Sequence, residues 1–523
     1  MPRLLVYYFD ADRYEPVFLP EWDCLMGLVD FFNTKYGQWG TEARNTQYIV
    51  TSSYEALPLA PLPATFKKDA VVEKVTGEVD LVYGRPHETY GPPIAFFDPS
   101  IARLKQDLRN PTTTREERIE LFPLCDKLVK VASKFYSNEI EHSVAVTPCI
   151  AALFPGHTVI AQSATGGGRS CAHIRWCVPS TDDPLLHYAV LELKNERGGR
   201  GDARFQALNR YKTLIKKATD QNYHNHTNFP ALILTLTANV LFIEAALYTD
   251  TIYCEFLSML NLSLPFEAVE FSRRVVDVMA AVRRCLNSLR DTYGSLHADR
   301  HEDRPPVPPL GHFFPRPTAL ADTEHPEVTP RALPEGLEFI CRLDHLGAPV
   351  RGLALDPSTR RCNPIYLAGL HGTPVLVKFT ERYNIDAHEM LVAPGLAPPV
   401  HHFARIVGGY VVVMEYVPPE RGRDLTDGKP AGARAEVARA LRILHDAGIV
   451  FGDLREQNVL YIPATGDGDP ARTWLIDFDW AGEAGVAEYP PRMNPSVTWA
   501  AGMVPGAPMK VECDEEMFEM MFS

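Results

Sequence analysis

The sequence predicts an α+β protein in two folded parts: an N-terminal α/β domain, and a C-terminal domain with a strand-rich lobe followed by a helical one. Three observations predict it. The stretch "HEDRPPVPPLGHFFPRPTALADTEHPEVTPRALPEG", residues 301–336, holds nine prolines. Proline neither continues a helix nor donates within a central strand, so the stretch reads as a linker. Before it, segments with the apolar period of amphipathic helices are interspersed with short apolar runs that fit buried strands. After it come strands, then a strong amphipathic helix, then two loops that set acids among apolar residues. At 523 residues the chain exceeds a single core, which rarely grows past roughly 250–300 residues.

The elements follow in order. Residues 1–110 carry no pattern that assigns a role. An α/β domain is expected over 111–296. Its helices are 115–136 ("REERIELFPLCDKLVKVASKFY"), 203–219 ("ARFQALNRYKTLIKKAT") and a closing helix in "FEAVEFSRRVVDVMAAVRRCLNSLRDTYGSL", where arginines fill the polar side. Its strands include "HYAVLELKN" and "PALILTLTA". The proline-rich linker spans 297–336 and the second domain 337–523. There, "TPVLVKFTERY" is a strand carrying Lys378, and "DAHEMLVAPGLAPPVHHF" begins as a helix ended by Pro394–Gly395. "GGYVVVMEYVPPE" is a buried strand ending at Glu415–Tyr416. "ARAEVARALRILHDAGIV" is an amphipathic helix leading into the first acidic loop.

Composition narrows the setting. Hydrophobic residues make up 46% and charged residues 23%, as in ordinary globular proteins, and the formal charge of −14 argues against nucleic acid as a partner. Ten cysteines lie scattered without a CxxC pair, which suggests reduced thiols and no zinc ribbon. The start shows no signal-peptide pattern. "FPALILTLTANVLFIEAALY" is the most apolar window, and its polar interruptions suit paired core strands better than a membrane span. An intracellular, soluble protein is expected, with no membrane partner.

"GIVFGDLREQNVLYI" (448–462) and "WLIDFDW" (474–480) place Asp453, Asn458 and Asp477 among residues that otherwise read as buried strand. A charge in such surroundings costs several kcal/mol unless it is paired or binds a metal. The two stretches resemble the catalytic and metal-binding loops of the protein-kinase-like fold. Their wording, with "VKF…Y…AH..L…GLAP", "VVME", "VFGDLR..NVL" and "IDFDWAG" in order, looks most like the fungal-type protein kinases over about 340–500.

That resemblance implies a protein serine/threonine kinase using ATP and Mg²⁺, with a protein as substrate. Phosphoryl transfer needs positioning and charge neutralisation more than covalent chemistry. By the resemblance, Asp453 is the base, Lys378 holds the α/β-phosphates, and Asn458 with Asp477 supplies hard oxygen ligands to the metal. Arg455 takes the place of the lysine that serine/threonine kinases set on the γ-phosphate. The backbone of Glu415, Tyr416 and Val417 meets the adenine, with Met414 behind it. Lys378 needs an acidic partner. Asp386 and Glu389, three apart on the expected helix, are both candidates, and Asp386 occupies the acidic place before "AH" in the family pattern.

The sequence also departs from a typical protein kinase. Phe451–Gly452 replace the usual His–Arg, and Asp479 replaces the glycine after "DF". No clear glycine-rich loop precedes Lys378, and no "APE" follows. A pseudokinase scaffold is therefore a rival reading.

A second site is suggested upstream. In "LLHYAVLELKNERGGRGDARFQALNRY", Glu192 and Lys194 are two apart on a strand and so project from one face, with Gln206 on the following helix. This E-x-K strand resembles the PD-(D/E)xK nuclease fold, in which acids bind Mg²⁺ and the lysine steadies an attacking water. Asp183 or its neighbour Asp182 would be the upstream acid. This gives a third reading, a nuclease-related effector.

Overall fold

A computed structural model of the chain describes the strand residues 3–8, 13–18, 46–51 and 81–82, then 91–523 except 167–168, 179–185, 196–201, 220–226, 250–251, 264, 266, 300–313, 321–330, 345–346, 351–363 and 465–469. Strands β1 (Arg3–Tyr8), β2 (Arg13–Phe18) and β3 (Thr46–Thr51) form an antiparallel sheet in the order β2-β1-β3.

A seven-stranded sheet follows, built from β4 (Leu81–Val82), β5 (Thr158–Gly166), β6 (Arg169–Cys177), β7 (His187–Lys194), β8 (Ala231–Thr237), β9 (Val240–Tyr248) and β10 (Ile252–Asn261). Its order is β4-β10-β9-β8-β7-β6-β5. The helices packed with it are α1 (Pro99–Arg109), α2 (Arg115–Ala132), α3 (Glu139–Leu153), α4 (Ala203–Thr219) and α5 (Ala268–Asp299). Strands β7 and β8 are parallel, joined through α4, while β8 and β9 form a hairpin. The apolar window 229–248 is thus two paired strands, the alternative its polar interruptions favoured. Among the described residues no helix is long and apolar enough to cross a membrane.

Local chemistry sets the helix ends. Asp98 caps α1 through the Ser100 and Ile101 amides, and Thr114 with Glu117 forms a reciprocal capping box on α2. The arginines of α5, expected to face solvent, are partly turned inward. Arg284 lies 2.9 Å from Asp107 and 2.8 Å from Glu117, tying α5 to α1 and α2.

The C-terminal lobes begin with a six-stranded sheet of β11 (Leu337–Leu343), β12 (Pro349–Val350), β13 (Ile365–Leu370), β14 (Thr373–Thr380), β15 (Val400–Ile406) and β16 (Gly409–Glu415), ordered β12-β11-β13-β14-β16-β15. Helix α6 (Ile385–Val392) lies between β14 and β15 in the chain. Beyond β16 come β17 (Arg423–Asp424), α7 (Ala433–Asp446), β18 (Ile449–Val450), the hairpin β19 (Val459–Ile462) and β20 (Arg472–Leu475), β21 (Gly482–Glu483) and α8 (Val511–Phe522).

Two large apolar cores and a small cluster of Ala95, Ala102 and Val407 lie among the described residues. One large core joins α6, α7, Phe451, Phe478 and Met517 and Met521 of α8. The other runs through the seven-stranded sheet and its helices and continues into Tyr366, Val375, Val377, Phe379, Val411 and Val413 of the six-stranded sheet. Phe96 is one bridge, its ring centroid 5.3 Å from that of Phe379, and Ala95 and Ala102 packed with Val407 are another. The stretch read as a linker is engaged here. Among its described residues, Arg316 N donates to Phe96 O at 2.7 Å, Leu320 N to Arg405 O at 3.0 Å, and Thr318 O accepts from Val407 N at 2.9 Å. Residues 316–320 thus run beside β15 and against the segment around Phe96.

Candidate active site

The alternation of strand β14 builds the first half of the site. Val375, Val377 and Phe379 enter the core shared with the N-terminal part, so Lys378 and Thr380 project from the opposite face. Lys378 is buried, and its Nζ lies 2.6 Å from Asp477 Oδ1 and 2.7 Å from Asp479 Oδ1. Thr380 Oγ1 donates to Asp479 Oδ2 at 2.8 Å, with Arg382 O a second acceptor at 3.0 Å. The Tyr383 ring centroid lies 5.8 Å from the ammonium.

Charge balance follows from these contacts. Burial alone would lower the Lys378 pKa, but the two carboxylates reverse that and raise it. Burial pushes Asp477 up, yet the Lys378 charge wins and holds it below the usual carboxylate range. Asp479, buried and beside the Asp477 charge, is pushed up to about 7. Asp477 also adopts φ +69°, a left-handed backbone uncommon outside glycine.

The second half is the loop before β19. Asn458 Nδ2 donates to the backbone oxygen of Asp453 at 2.8 Å and to its Oδ2 at 2.9 Å, closing the loop on itself. Arg455 Nε is 3.1 Å from Asp453 Oδ1, an ion contact without hydrogen-bond alignment. Burial, opposed by Arg455 and reinforced by Asp477, pushes Asp453 up to about 7. Ile476 N donates to Asn458 O at 2.9 Å, so the two acidic loops are joined by backbone. Asn458 and Asp453 are each 4% exposed.

Two further acids support these loops. Asp514 of α8, 1% exposed, accepts from Phe451 N at 2.7 Å and Gly452 N at 2.9 Å, and lies 3.0 Å from His445 Nε2. Gly452 has φ +82°, and a Cβ there would sit 3.2 Å from Met509 Sδ. The backbone therefore demands glycine where a typical kinase carries arginine. Phe478, between Asp477 and Asp479, stacks on His388 with centroids 4.5 Å apart. His388 is fully buried; Pro398 O lies 2.8 Å from its Nε2 and the Tyr383 hydroxyl 2.6 Å from its Nδ1. Burial pushes its pKa down to about 4.

Of the residues that the resemblance implied, Lys378 meets Asp477, Asp453 meets Arg455 and Asn458, and the two groups are linked by the Ile476–Asn458 backbone bond. Asp386 is a correction. It is exposed in the first turn of α6, as is Glu389 further along, because Ala387, His388 and Leu391 take the inward face and Asn384 caps the helix. The acids that meet Lys378 come from the later loop instead. Glu415, Tyr416 and Val417 are half-buried at the end of β16, and the Glu415 amide already donates to Pro399 O at 3.0 Å. Sequence reasoning treated Asp479 only as a lost glycine and missed Thr380 and Asp514. The second acid in "IDFDW" was the available signal for Asp479. Asp514 sits in the acid-rich "VECDEEMFEMMF", where nothing marks one acid as buried.

The E-x-K strand is organised differently. Glu192 and Lys194 are both buried on β7. Lys194 Nζ is 3.0 Å from Glu139 of α3, and Arg210 Nε of α4 is 3.6 Å from Glu192 Oε2. Gln206 is half-buried on α4, and Asp183 lies outside the described residues. In register Glu192 stands opposite His173 on β6. Among the described residues no group of three or more His, Cys, Asp or Glu side chains is arranged to hold a metal.

No protein-family model and no curated protein matches the chain. Among solved structures the chain is similar to the Cydia pomonella granulovirus kinase PK-1, at 18% identity with a TM-score of 0.26, over 35% of this chain and 65% of that one. The chain therefore spans just under two thirds of that kinase's length.

Proposed function

We propose that the chain is a phosphotransferase of the protein-kinase-like type, moving the γ-phosphate of ATP to a hydroxyl, with a protein serine or threonine as acceptor. The observation that carries the reading is the convergence of Lys378 on Asp477 at 2.6 Å, with the Asp453–Asn458 loop tied to the same segment through Ile476 N. The fungal-type likeness rests on the ordered motifs that supply these residues.

The residues fit a hard divalent cation by donor type: Asp477 offers a carboxylate and Asn458 an amide oxygen, its nitrogen being held by Asp453. Bound there, Mg²⁺ would neutralise triphosphate charge. The chain's own groups do the rest. Lys378, kept charged by its carboxylate neighbours, is suited to grip phosphate oxygens. Asp453, a stronger base than an exposed aspartate, takes the acceptor hydroxyl's proton or aligns it. Arg455, beside it, stabilises charge on the moving phosphoryl group. With the Glu415 amide engaged, the Val417 backbone is the better donor toward a purine edge.

On the E-x-K strand, Lys194 is paired with Glu139 of α3 and Glu192 lies near Arg210 of α4, contacts that tie the strand to its helices. The test is transfer of γ-labelled phosphate from ATP with Mg²⁺. Asp453→Asn should lower the rate by about 10²–10⁴-fold, and Asp477→Ala should abolish it while Glu192→Gln leaves it unchanged. Thermal stabilisation by nucleotide without any turnover would instead identify a pseudokinase scaffold.

A further inference from the structure

We infer that Asp479 is the carboxylate that positions Lys378 for phosphate binding, taking the place the family pattern gives to an acid on the following helix. The inference rests on the phosphotransferase reading and concerns the same site. Its basis is how the side chain is tethered. Lys378 and Thr380 are alternate residues of one strand and so share a face, on the order of 6–7 Å apart along the chain. Asp479 spans that gap, with Oδ1 at 2.7 Å from the Lys378 ammonium and Oδ2 accepting from the Thr380 hydroxyl at 2.8 Å. Both oxygens are therefore fixed to β14. The acids expected in this role, Asp386 and Glu389, face solvent on α6.

The two carboxylates on Lys378 have different duties. Asp477 is the residue that must give an oxygen to the metal. If it were the lysine's only acid, engaging a cation would leave a buried ammonium without its partner, a costly state. Asp479 keeps the ammonium paired and pointed across the sheet face while Asp477 serves the metal. An aspartate after Phe478 in place of glycine is then a requirement of this site.

The test compares Asp479→Asn, Thr380→Val and Asp386→Asn by steady-state kinetics, with amine acylation of Lys378 followed by peptide mapping. Asp479→Asn should raise the KM for ATP at least tenfold and leave the KM for the phosphoacceptor within twofold. Thr380→Val should give a smaller rise in the same parameter, and decides the matter if Asp479→Asn does not fold. Asp386→Asn should change neither KM by more than twofold. An Asp479→Asn enzyme with unchanged or tighter ATP binding, or an Asp386→Asn enzyme that weakens ATP equally, overturns the assignment. Should the wild type transfer no phosphate, the phosphotransferase reading falls and the acylation arm decides. Faster labelling of Lys378 in Asp479→Asn than in wild type upholds the positioning role, and equal labelling removes it.

Discussion

His388 shows how one buried side chain couples the site to pH. Its ring is stacked on Phe478, with Tyr383 and Pro398 on its two nitrogens, and burial holds its pKa at about 4. An unfolded histidine titrates near 6.5, so between those values the unfolded chain binds more protons than the native one. The neutral ring's contribution is complete above about pH 6.5 and is lost as pH falls toward 4. The loss over that window is about 3 kcal/mol. Urea unfolding from pH 7.5 to 4.5 should show the stability advantage of wild type over His388→Gln shrinking steadily; a constant difference would place the ring in solvent. Residue identities at this scale were the most legible part of the sequence. Lys378, Asp453, Asn458 and Asp477 stood out because each interrupts an apolar run, where an unpaired charge, or for Asn458 an unsatisfied amide, is too costly to be incidental.

At the scale of elements, α8 does the work that its sequence hid. Through Asp514 it accepts the Phe451 and Gly452 amides just before Asp453, so the position of the proposed base depends on a helix some 60 residues away. Asp514→Ala would leave two buried donors unsatisfied and should destabilise the protein by roughly 2–5 kcal/mol. Even where folded, that variant should lose phosphotransfer, which urea titration and an activity assay at low temperature would separate. Element boundaries were less legible than element types. The helix expected over 115–136 ends at Ala132, where Ser133 closes it. Local apolar periodicity runs on past that point, so the cap rather than the pattern sets the end. The Lys378 partner was misassigned for a related reason. Spacing on α6 places Asp386 and Glu389 on one face, but only packing decides which face turns inward, and Ala387, His388 and Leu391 take it.

For the whole molecule, the core that crosses from the seven-stranded sheet into β13, β14 and β16 matters most. Strand β14 is held from behind by Phe96 against Phe379 and carries Lys378 in front. Phe96→Ala should therefore cost about 3–5 kcal/mol and also weaken nucleotide binding, although the residue lies outside the C-terminal lobes. Calorimetry should show the N-terminal sheet and the six-stranded sheet melting in one transition that moves down together in the variant. Two independent transitions would mean that the shared core contributes little. The proline-rich stretch suggested separated domains, because composition reports what a segment cannot form by itself and says nothing of the surface it lies on. Its residues 316–320 are engaged with Phe96 and β15.

The sequence by itself determined the type of the most strongly patterned strands and helices, among them β7, β8, β14, α4 and α7, and the polar residues set among apolar runs. These depend on local periodicity and on the cost of desolvation, both written in neighbouring positions. Only the tertiary structure decided which acids meet Lys378, which helix holds the loop before Asp453, and that the sheet behind the site is packed against the N-terminal part. Those are contacts between residues about 60 to 300 positions apart, chosen by how faces fit in space, and no local pattern encodes that choice.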